Sequence, residues 1–308
     1  MFVNFFVSAR QNNQWYRYLL SLLIVFGFVL LSIIPIIVSA RLHGVSKTSS
    51  YSTAADLGVS EPIFFGIEMI PSIALTVGMI FCAIFVHKRS WHSLISAYPA
   101  IRWQRYFFGN LLWFVLLVGA ELVTYLINPD NYVFQFNARL FLDLLIISLL
   151  TIPLQAAGEE LIFRGYLMQG IGWATKRPWI ALLITSITFG FLHFENPEIA
   201  KYGQSLIVTY MISGLFFGII TLMDEGLELA MGVHSINNIY GAVLVSFPAS
   251  VFELPTVFRI KQYDAWLIFA IELVIFALFI WICAKKYGWS DWRKLIRKIE
   301  ESDTNSVV

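Results

Sequence analysis

The sequence predicts an all-α protein, a bundle of about eight transmembrane helices. Of its 308 residues, 58% are hydrophobic and 13% are charged, whereas soluble domains are about a quarter charged. The charges are also segregated, since Tyr18–Ala40 contains none, and about 20 apolar residues suffice for one helical span. Lipid offers no partner to backbone polar groups, and alternating strand patterns are absent, so the spans are expected to be helices. A soluble enzyme, a disordered chain and a nucleic-acid-binding protein are excluded.

Eight apolar segments are separated by polar residues. In chain order they are Tyr18–Ala40, Met69–Val86, Tyr106–Ile127, Leu140–Ala157, Trp179–Phe194, Leu206–Met223, Leu227–Phe247 and Ala265–Ala284. We therefore expect residues 1–308 to form a single integral membrane domain, in which residues 285–308 are a basic tail in the cytoplasm.

The distribution of Lys and Arg predicts the orientation, because cytoplasmic loops carry the excess of basic residues. With both termini inside, and Arg164 left aside, fourteen basic residues lie inside and six outside. The inner residues are Arg10, Arg17, Lys88, Arg89, Arg102, Arg105, Lys176, Arg177, Lys285, Lys286, Arg293, Lys294, Arg297 and Lys298; the outer ones are Arg41, Lys47, Arg139, Lys201, Arg259 and Lys261. This count predicts a multi-pass membrane protein with both termini in the cytoplasm. We expect the membrane to be a bacterial cytoplasmic membrane.

Ionisable residues within the spans are candidates for function, because each is costly in lipid unless it is paired or hydrated. Glu160 and Arg164 are four residues apart, which places them on one helix face as an ion pair. Glu159 is about 100° from Glu160 around the helix axis, so its side chain projects away from this pair. The alternative for this cluster is a pair of acids at the cytoplasmic end of the fourth span. Most other acidic residues are isolated and are expected near span ends or in single hydrogen bonds: Glu68, Asp143, Glu228 and Glu272. Glu121 lies deeper and has no partner that the sequence identifies.

Two further motifs have helical spacing. Phe189 and His193 are four residues apart, as are His234 and Asn238, and these are the two histidines within predicted spans. Glu159 precedes Lys176 by 17 residues and His193 follows it by 17, so an antiparallel helix pair that turns at Lys176 would bring both to one level. If the fourth helix projects beyond the membrane before turning, the site is shallow and open to cytoplasmic water.

The three motifs resemble those of the CAAX protease and bacteriocin-processing family, the intramembrane proteases typified by the Ras and a-factor converting enzyme. The family pattern is E-E-x-x-x-R, F-x-x-x-H and H-x-x-x-N on separate helices, and here it extends over about Leu140–Phe247. The resemblance implies that Glu159 and His193 activate a water while His234 and Asn238 stabilise an oxyanion, with Glu160, Arg164 and Phe189 in support. A carboxylate in a water-poor cavity suits a general base, and imidazole and amide groups supply the donors that an oxyanion needs.

Two questions stay open in the sequence. Glu159, His193 and His234 could bind Zn²⁺ with a water in the fourth position, but H-E-x-x-H is absent, so we expect no cofactor. The substrate would be a membrane-associated peptide or protein in contact with the lipid bilayer. The alternatives to a protease are a non-catalytic scaffold or immunity-type partner and, with less support, a proton-coupled transporter.

Overall fold

The computed structural model describes residues 5–9, 12–42, 54 and 57–299. The helices are α1 (Trp15–Leu42), α2 (Glu61–Glu68), α3 (Ile70–Phe81), α4 (Trp103–Ile127), α5 (Ala138–Glu160), α6 (Gln169–Thr175), α7 (Pro178–Leu192), α8 (Pro197–Tyr202), α9 (Ser205–Asp224), α10 (Glu228–Val243) and α11 (Ala265–Tyr287). Stretches of π-helix continue α3 over Cys82–Val86 and join α5 to α6 over Leu161–Met168. Within the described residues the protein is an all-α polytopic membrane protein, and the predicted fold class is confirmed.

Six continuous helices in the described part of the chain are long and apolar enough to cross a membrane. They comprise α1, α2 with α3, α4, α5 with α6, α9 and α11. The other two predicted segments correspond to shorter helices, α7 and α10, of 15 and 16 residues. Both shorter helices pack against longer ones, so the bundle has eight apolar helical segments of unequal length.

The fourth apolar segment, Leu140–Ala157, is part of a longer helix. This helix runs without a break from Ala138 to Thr175, over 38 residues, and reaches the turn at Lys176 that the sequence analysis considered. Polar residues do not end it because the protein satisfies them internally: Arg164 pairs with Glu160, and Gln169 Nε2 donates to the Ser93 carbonyl at 2.9 Å. The helix ends at Lys176, which has a left-handed backbone (φ 57°).

Local sequence explains where the neighbouring helices begin. The Asn137 side chain accepts hydrogen bonds from the backbone N–H groups of Arg139 and Leu140 at the start of α5, both at 3.1 Å, as an N-cap does. Asp264 caps α11 in the same way. Pro178 occupies the first position of α7, where its missing N–H costs no helical hydrogen bond.

Helices α4 and α10 pack closely because two glycines lie at their interface. A Cβ on Gly109 would lie 2.8 Å from the Leu229 carbonyl oxygen, and one on Gly232 would clash with the Tyr106 carbonyl oxygen. This close approach brings the Trp113 indole within hydrogen-bond distance of Asn237, one residue before Asn238.

The two ends of the bundle differ in charge and in structure. We call one the basic end: it contains Lys88, Arg102, Arg105, Lys176 and Lys285. The acidic turn after α9 lies there, with Arg102 Nη2 2.6 Å from Glu228 Oε2 and 2.9 Å from Asp224 Oδ2. The opposite end, here the sheet end, contains the connections 128–137, 193–204 and 244–264. Its small sheet pairs β1 (Tyr132–Phe134) antiparallel and β2 (Val245–Ser246) parallel with the central β3 (Phe258–Ile260).

Candidate active site

The two adjacent glutamates have different surroundings. Glu160 is fully buried, and its Oε1 accepts a hydrogen bond from Arg164 Nη1 at 2.9 Å. Arg164 is also fully buried; its Nη2 donates to the Gly214 carbonyl at 3.1 Å. The Glu159 side chain is 21% exposed. The Glu160–Arg164 pair inferred from the four-residue spacing is therefore present, and Glu159 projects away from it.

His234 lies between the two carboxylates. Its Nδ1 is 2.8 Å from Glu160 Oε1, and its Nε2 is 3.8 Å from Glu159 Oε2. A carboxylate is an acceptor, so Nδ1 carries the proton in the shorter contact. The longer separation exceeds hydrogen-bond distance, so Glu159 Oε2 is not bound to this histidine. The His234 ring stacks on Phe217 at a centroid distance of 5.1 Å, which fixes the plane of the imidazole.

His193 directly follows the last residue of α7. Its Nδ1 lies 2.7 Å from the Phe189 carbonyl oxygen; since a carbonyl can only accept, Nδ1 is the protonated nitrogen and the neutral ring has its lone pair on Nε2. The ring is held between Phe189, at a centroid distance of 4.5 Å, and Tyr210, at 4.1 Å and 19°. The position and tautomer of this imidazole are therefore fixed by the end of the helix and two aromatic rings.

Phe189 connects the histidine motif with the ion pair. The Arg164 guanidinium carbon lies 4.6 Å from the centre of the Phe189 ring and 5.1 Å from that of Phe217. A cation over an aromatic face is stabilised by the quadrupole of the ring. The F-x-x-x-H spacing thus supplies a carbonyl acceptor for His193 and an aromatic face for Arg164.

Gln155, which the sequence analysis did not identify, joins Asn238 to Glu159. Asn238 Nδ2 donates to Gln155 Oε1 at 3.0 Å, and Gln155 Nε2 donates to Glu159 Oε1. The other end of the Asn238 amide is bound too: its Oδ1 accepts from Asn237 Nδ2 at 3.3 Å, and Asn237 Oδ1 accepts from the Trp113 indole at 3.2 Å. One hydrogen of Asn238 Nδ2 is used in this chain, and the second is available to a ligand.

All four predicted catalytic residues line one cavity of about 620 Å³ between α5, α7, α9 and α10. Gln155, Asn196, Glu198, Tyr210 and Glu272 line it too. The placement of Glu272 corrects the expectation of an isolated structural residue: it lies within α11, and its Oε2 is buried without a hydrogen-bond partner among the described residues. Glu121 does have partners, the hydroxyls of Tyr132 at 2.5 Å and Tyr240 at 3.3 Å.

The cavity extends towards the sheet end. Residues of the connections after α7 and α10 line its outer part, among them Asn196, Phe247, Val251 and Tyr263. Glu159 precedes Lys176 by 17 residues of continuous helix, which is about 25 Å at 1.5 Å per residue. Glu159 is therefore remote from the Lys176 turn, and the helix that bears it stays within the bundle.

The described residues contain no group of three His, Cys, Asp or Glu side chains placed to hold a metal ion. Within the set Glu159, His193 and His234 considered for zinc, His234 Nε2 and Glu159 Oε2 are 3.8 Å apart, and Glu159 Oε1 accepts from the Gln155 amide. A separation of this size does not by itself exclude Zn²⁺ between the two atoms, so the metal-free site stays a prediction.

Sequence comparisons agree with the motifs. Residues 141–240 match the family described as type II CAAX prenyl endopeptidase Rce1-like, so the resemblance to this family is confirmed, and α5, α7, α9 and α10 all contribute to the matched segment. The chain is also 28% identical over 293 residues to a protein of Bacillus subtilis (strain 168) described as uncharacterized protein YyaK, with 90% of this chain and 95% of the relative covered. No solved structure matches the chain significantly.

Proposed function

We propose that this protein, whose segment 141–240 carries the Rce1-like pattern, is an intramembrane endopeptidase that hydrolyses a peptide bond of a membrane-associated protein or peptide. The observation that carries the proposal is the shared cavity. Glu159, His193, His234 and Asn238 come from three separate helical segments and all line it. A scaffold has no need for this convergence.

In the proposed reaction, Glu159 Oε2 and His193 Nε2 hold the attacking water. Both are acceptors without a protein donor in the described part of the chain, so both can receive a water proton. Glu159 takes one proton as the water oxygen attacks the substrate carbonyl carbon. It then returns this proton to the leaving nitrogen when the carbon–nitrogen bond breaks. The reaction consumes one water and leaves Glu159 ionised.

His234 and Asn238 are proposed to stabilise the tetrahedral oxyanion. With His234 protonated, Glu159, Glu160, Arg164 and His234 sum to zero charge, and Nε2–H is free because Nδ1–H is bound to Glu160. The second hydrogen of Asn238 Nδ2 supplies another donor. Donors that are fixed before the reaction stabilise developing charge without reorganising. No step of this proposed reaction uses a metal ion.

We propose that the basic end faces the cytoplasm, as the distribution of Lys and Arg predicts. The cavity extends towards the sheet end, so the substrate would then approach from the opposite face of the membrane.

The proposal is tested with the full-length protein in lipid nanodiscs and a library of apolar peptides, with cleavage read by mass spectrometry. Wild type should cleave a subset. Glu159→Ala and His193→Ala should abolish turnover and retain a wild-type melting temperature, since neither side chain forms a buried ion pair. Glu195→Gln is a matched control, because Glu195 is exposed and does not line the cavity. Near-wild-type cleavage by either alanine variant would show that the role assigned to that residue is wrong.

A further inference from the structure

The catalytic cavity contains carboxylates that the proposed reaction does not use. Besides Glu159, it is lined by Glu198 from α8 and Glu272 from α11, whereas neither Lys nor Arg occurs among its described lining residues. Opposite charges usually accompany buried carboxylates, because an unpaired one is costly to bury. Glu198 and Glu272 thus have no Lys or Arg among the described lining residues as a counter-charge.

Glu198 presents one free oxygen. The residue is only 4% exposed, and its Oε1 accepts from both Asn196 Nδ2, at 3.2 Å, and the Tyr210 hydroxyl. Its Oε2 is buried and has no hydrogen-bond partner in the described part of the chain. The nearest lysine in sequence, Lys201, is exposed; its Nζ lies 5.4 Å from the centre of the Tyr202 ring. Lys201 therefore does not neutralise Glu198.

Glu272 is in a similar state. It is eight residues into α11, and it shares the cavity wall with the aromatic side chains of Trp113 and Phe276. Its Oε2 is buried without a partner among the described residues. Glu198, Glu272 and Tyr263 line the same cavity. Burial, and then the negative charges of Glu272 and Glu198, raise the pKa of the Tyr263 phenol.

We propose that Glu198, Tyr210, Tyr263 and Glu272 form a subsite for the cationic side chain of a Lys or Arg residue in the substrate. The carboxylates supply the counter-charge, and the tyrosine rings supply faces that attract a cation. Both residues line the cavity, and the buried Oε2 atom of each has no hydrogen-bond partner in the described part of the chain, so a substrate cation would provide the missing positive partner. This subsite is here called the acidic subsite, and its role in substrate selection rests on the proposed function.

Tyr210 sets the distance between the acidic subsite and the reaction centre. Its ring stacks on His193 at 4.1 Å, and its hydroxyl donates to Glu198. One phenol ring thus lies between the His193 imidazole and the Glu198 carboxylate of the subsite. An extended peptide advances about 3.3 Å per residue, so the cationic residue lies within two or three positions of the cleaved bond.

Binding is measured first, with protein that carries Glu159→Gln so that the peptides stay intact. The probes are capped apolar decapeptide mixtures that differ only at a central residue, which is Lys, norleucine or Glu. Nanodiscs of zwitterionic lipid, with empty discs subtracted, remove the attraction of basic peptides to an anionic bilayer. We expect the Lys mixture to bind at least tenfold more tightly than the norleucine mixture, and the Glu mixture to bind most weakly.

Variants of the acidic subsite then test its assignment. Glu198→Gln and Glu272→Gln, each added to the Glu159→Gln protein, should reduce the Lys-to-norleucine affinity ratio towards one. Glu272→Gln is the more specific of the two variants, because Glu198 also accepts a hydrogen bond from the Tyr210 hydroxyl. The control Glu195→Gln should leave the ratio unchanged. Equal binding of the two mixtures by the parent protein, or a ratio that neither subsite variant lowers, would overturn the inference.

Cleavage separates this inference from the proposed function. If the wild-type protein cleaves the Lys and norleucine peptides equally, and the Lys-to-norleucine affinity ratio is also one, the protease proposal stands and the subsite is refuted. If the Lys preference in binding is present and depends on Glu272 but no peptide is cleaved, the subsite stands and the protease proposal fails. If Glu198 and Glu272 served only as a proton relay, all three peptide mixtures would bind equally, and that result would refute the subsite.

Discussion

Replacing Arg164 by alanine should destabilise the protein strongly, because it leaves Glu160 buried without its cation. Both side chains are 0% exposed, and their N–O distance is 2.9 Å. Breaking a buried pair on one side costs about 3–5 kcal/mol. Arg164 also donates to the Gly214 carbonyl and lies over the rings of Phe189 and Phe217, so we expect the upper part of that range.

A second ion pair in the same chain provides the control. Arg259 and Glu253 are 2.6 Å apart, but their side chains are 41% and 46% exposed. Exposed pairs contribute about 0.2–1 kcal/mol, so Arg259→Ala should lower the free energy of unfolding by no more than that. The contrast between the two variants measures the effect of burial and not the effect of losing an arginine.

The assay is equilibrium unfolding in mixed detergent and lipid micelles, followed by tryptophan fluorescence and circular dichroism. A double variant, Glu160→Gln with Arg164→Met, removes both charges and keeps an acceptor for His234. It should recover a large part of the stability that Arg164→Ala loses, since replacing a buried pair by neutral groups is often close to neutral. If Arg164→Ala costs no more than Arg259→Ala, water reaches the Glu160–Arg164 pair and the argument from burial is refuted.

Three further outcomes are expected. Asn238→Ala should lower kcat by about 10²–10³-fold with little change in KM, as the loss of one oxyanion donor does, and Asn238→Asp should be no better; an unchanged kcat would remove Asn238 from the reaction. Burial, and then the charge of Arg89, lowers the pKa of His87 to about 4. Because His87 is protonated at a higher pH in the unfolded chain, the free energy of unfolding should fall as the pH drops from about 6.5 to about 4. The fall should be smaller in His87→Gln; an equal fall in that variant would show that other groups cause it. In intact cells a membrane-impermeant maleimide should label Val251→Cys, at the sheet end, and should not label Ala174→Cys, at the basic end. The native Cys82 and Cys283 are buried, so we expect little labelling of either. The reverse pattern would show that the proposed orientation is inverted.

The sequence predicted those parts of the site that depend on helical periodicity. The four-residue spacings predicted the Glu160–Arg164 pair and placed Phe189 and His193 on one helix face. Gln155 carries the same signal, four residues before Glu159, but neutral side chains do not stand out in a search for ionisable groups. Its hydrogen bonds to Glu159 and Asn238 therefore appeared only in the structure.

Contacts that depend on packing between helices could not be predicted. Tyr210 reaches His193 from α9, and Glu272 enters the cavity from α11, and no spacing within one helix encodes either contact. Arg164 and Gln169 are polar but satisfied internally by contacts with other segments, which their positions in the sequence could not show. Orientation in the membrane and the roles of the four catalytic residues stay predictions.

The most direct test of the central claim compares the initial cleavage rates of wild type and Glu159→Gln in nanodiscs, each with and without a metal chelator. Glutamine keeps the shape of Glu159 and can still accept the hydrogen bond from Gln155, so the fold should not change. We predict that Glu159→Gln lowers the rate by about 10²–10⁴-fold, as the loss of a general base does, and that the chelator has no effect on wild type. A Glu159→Gln rate within tenfold of wild type, or wild-type activity that a chelator abolishes and Zn²⁺ restores, would contradict a metal-free reaction based on Glu159.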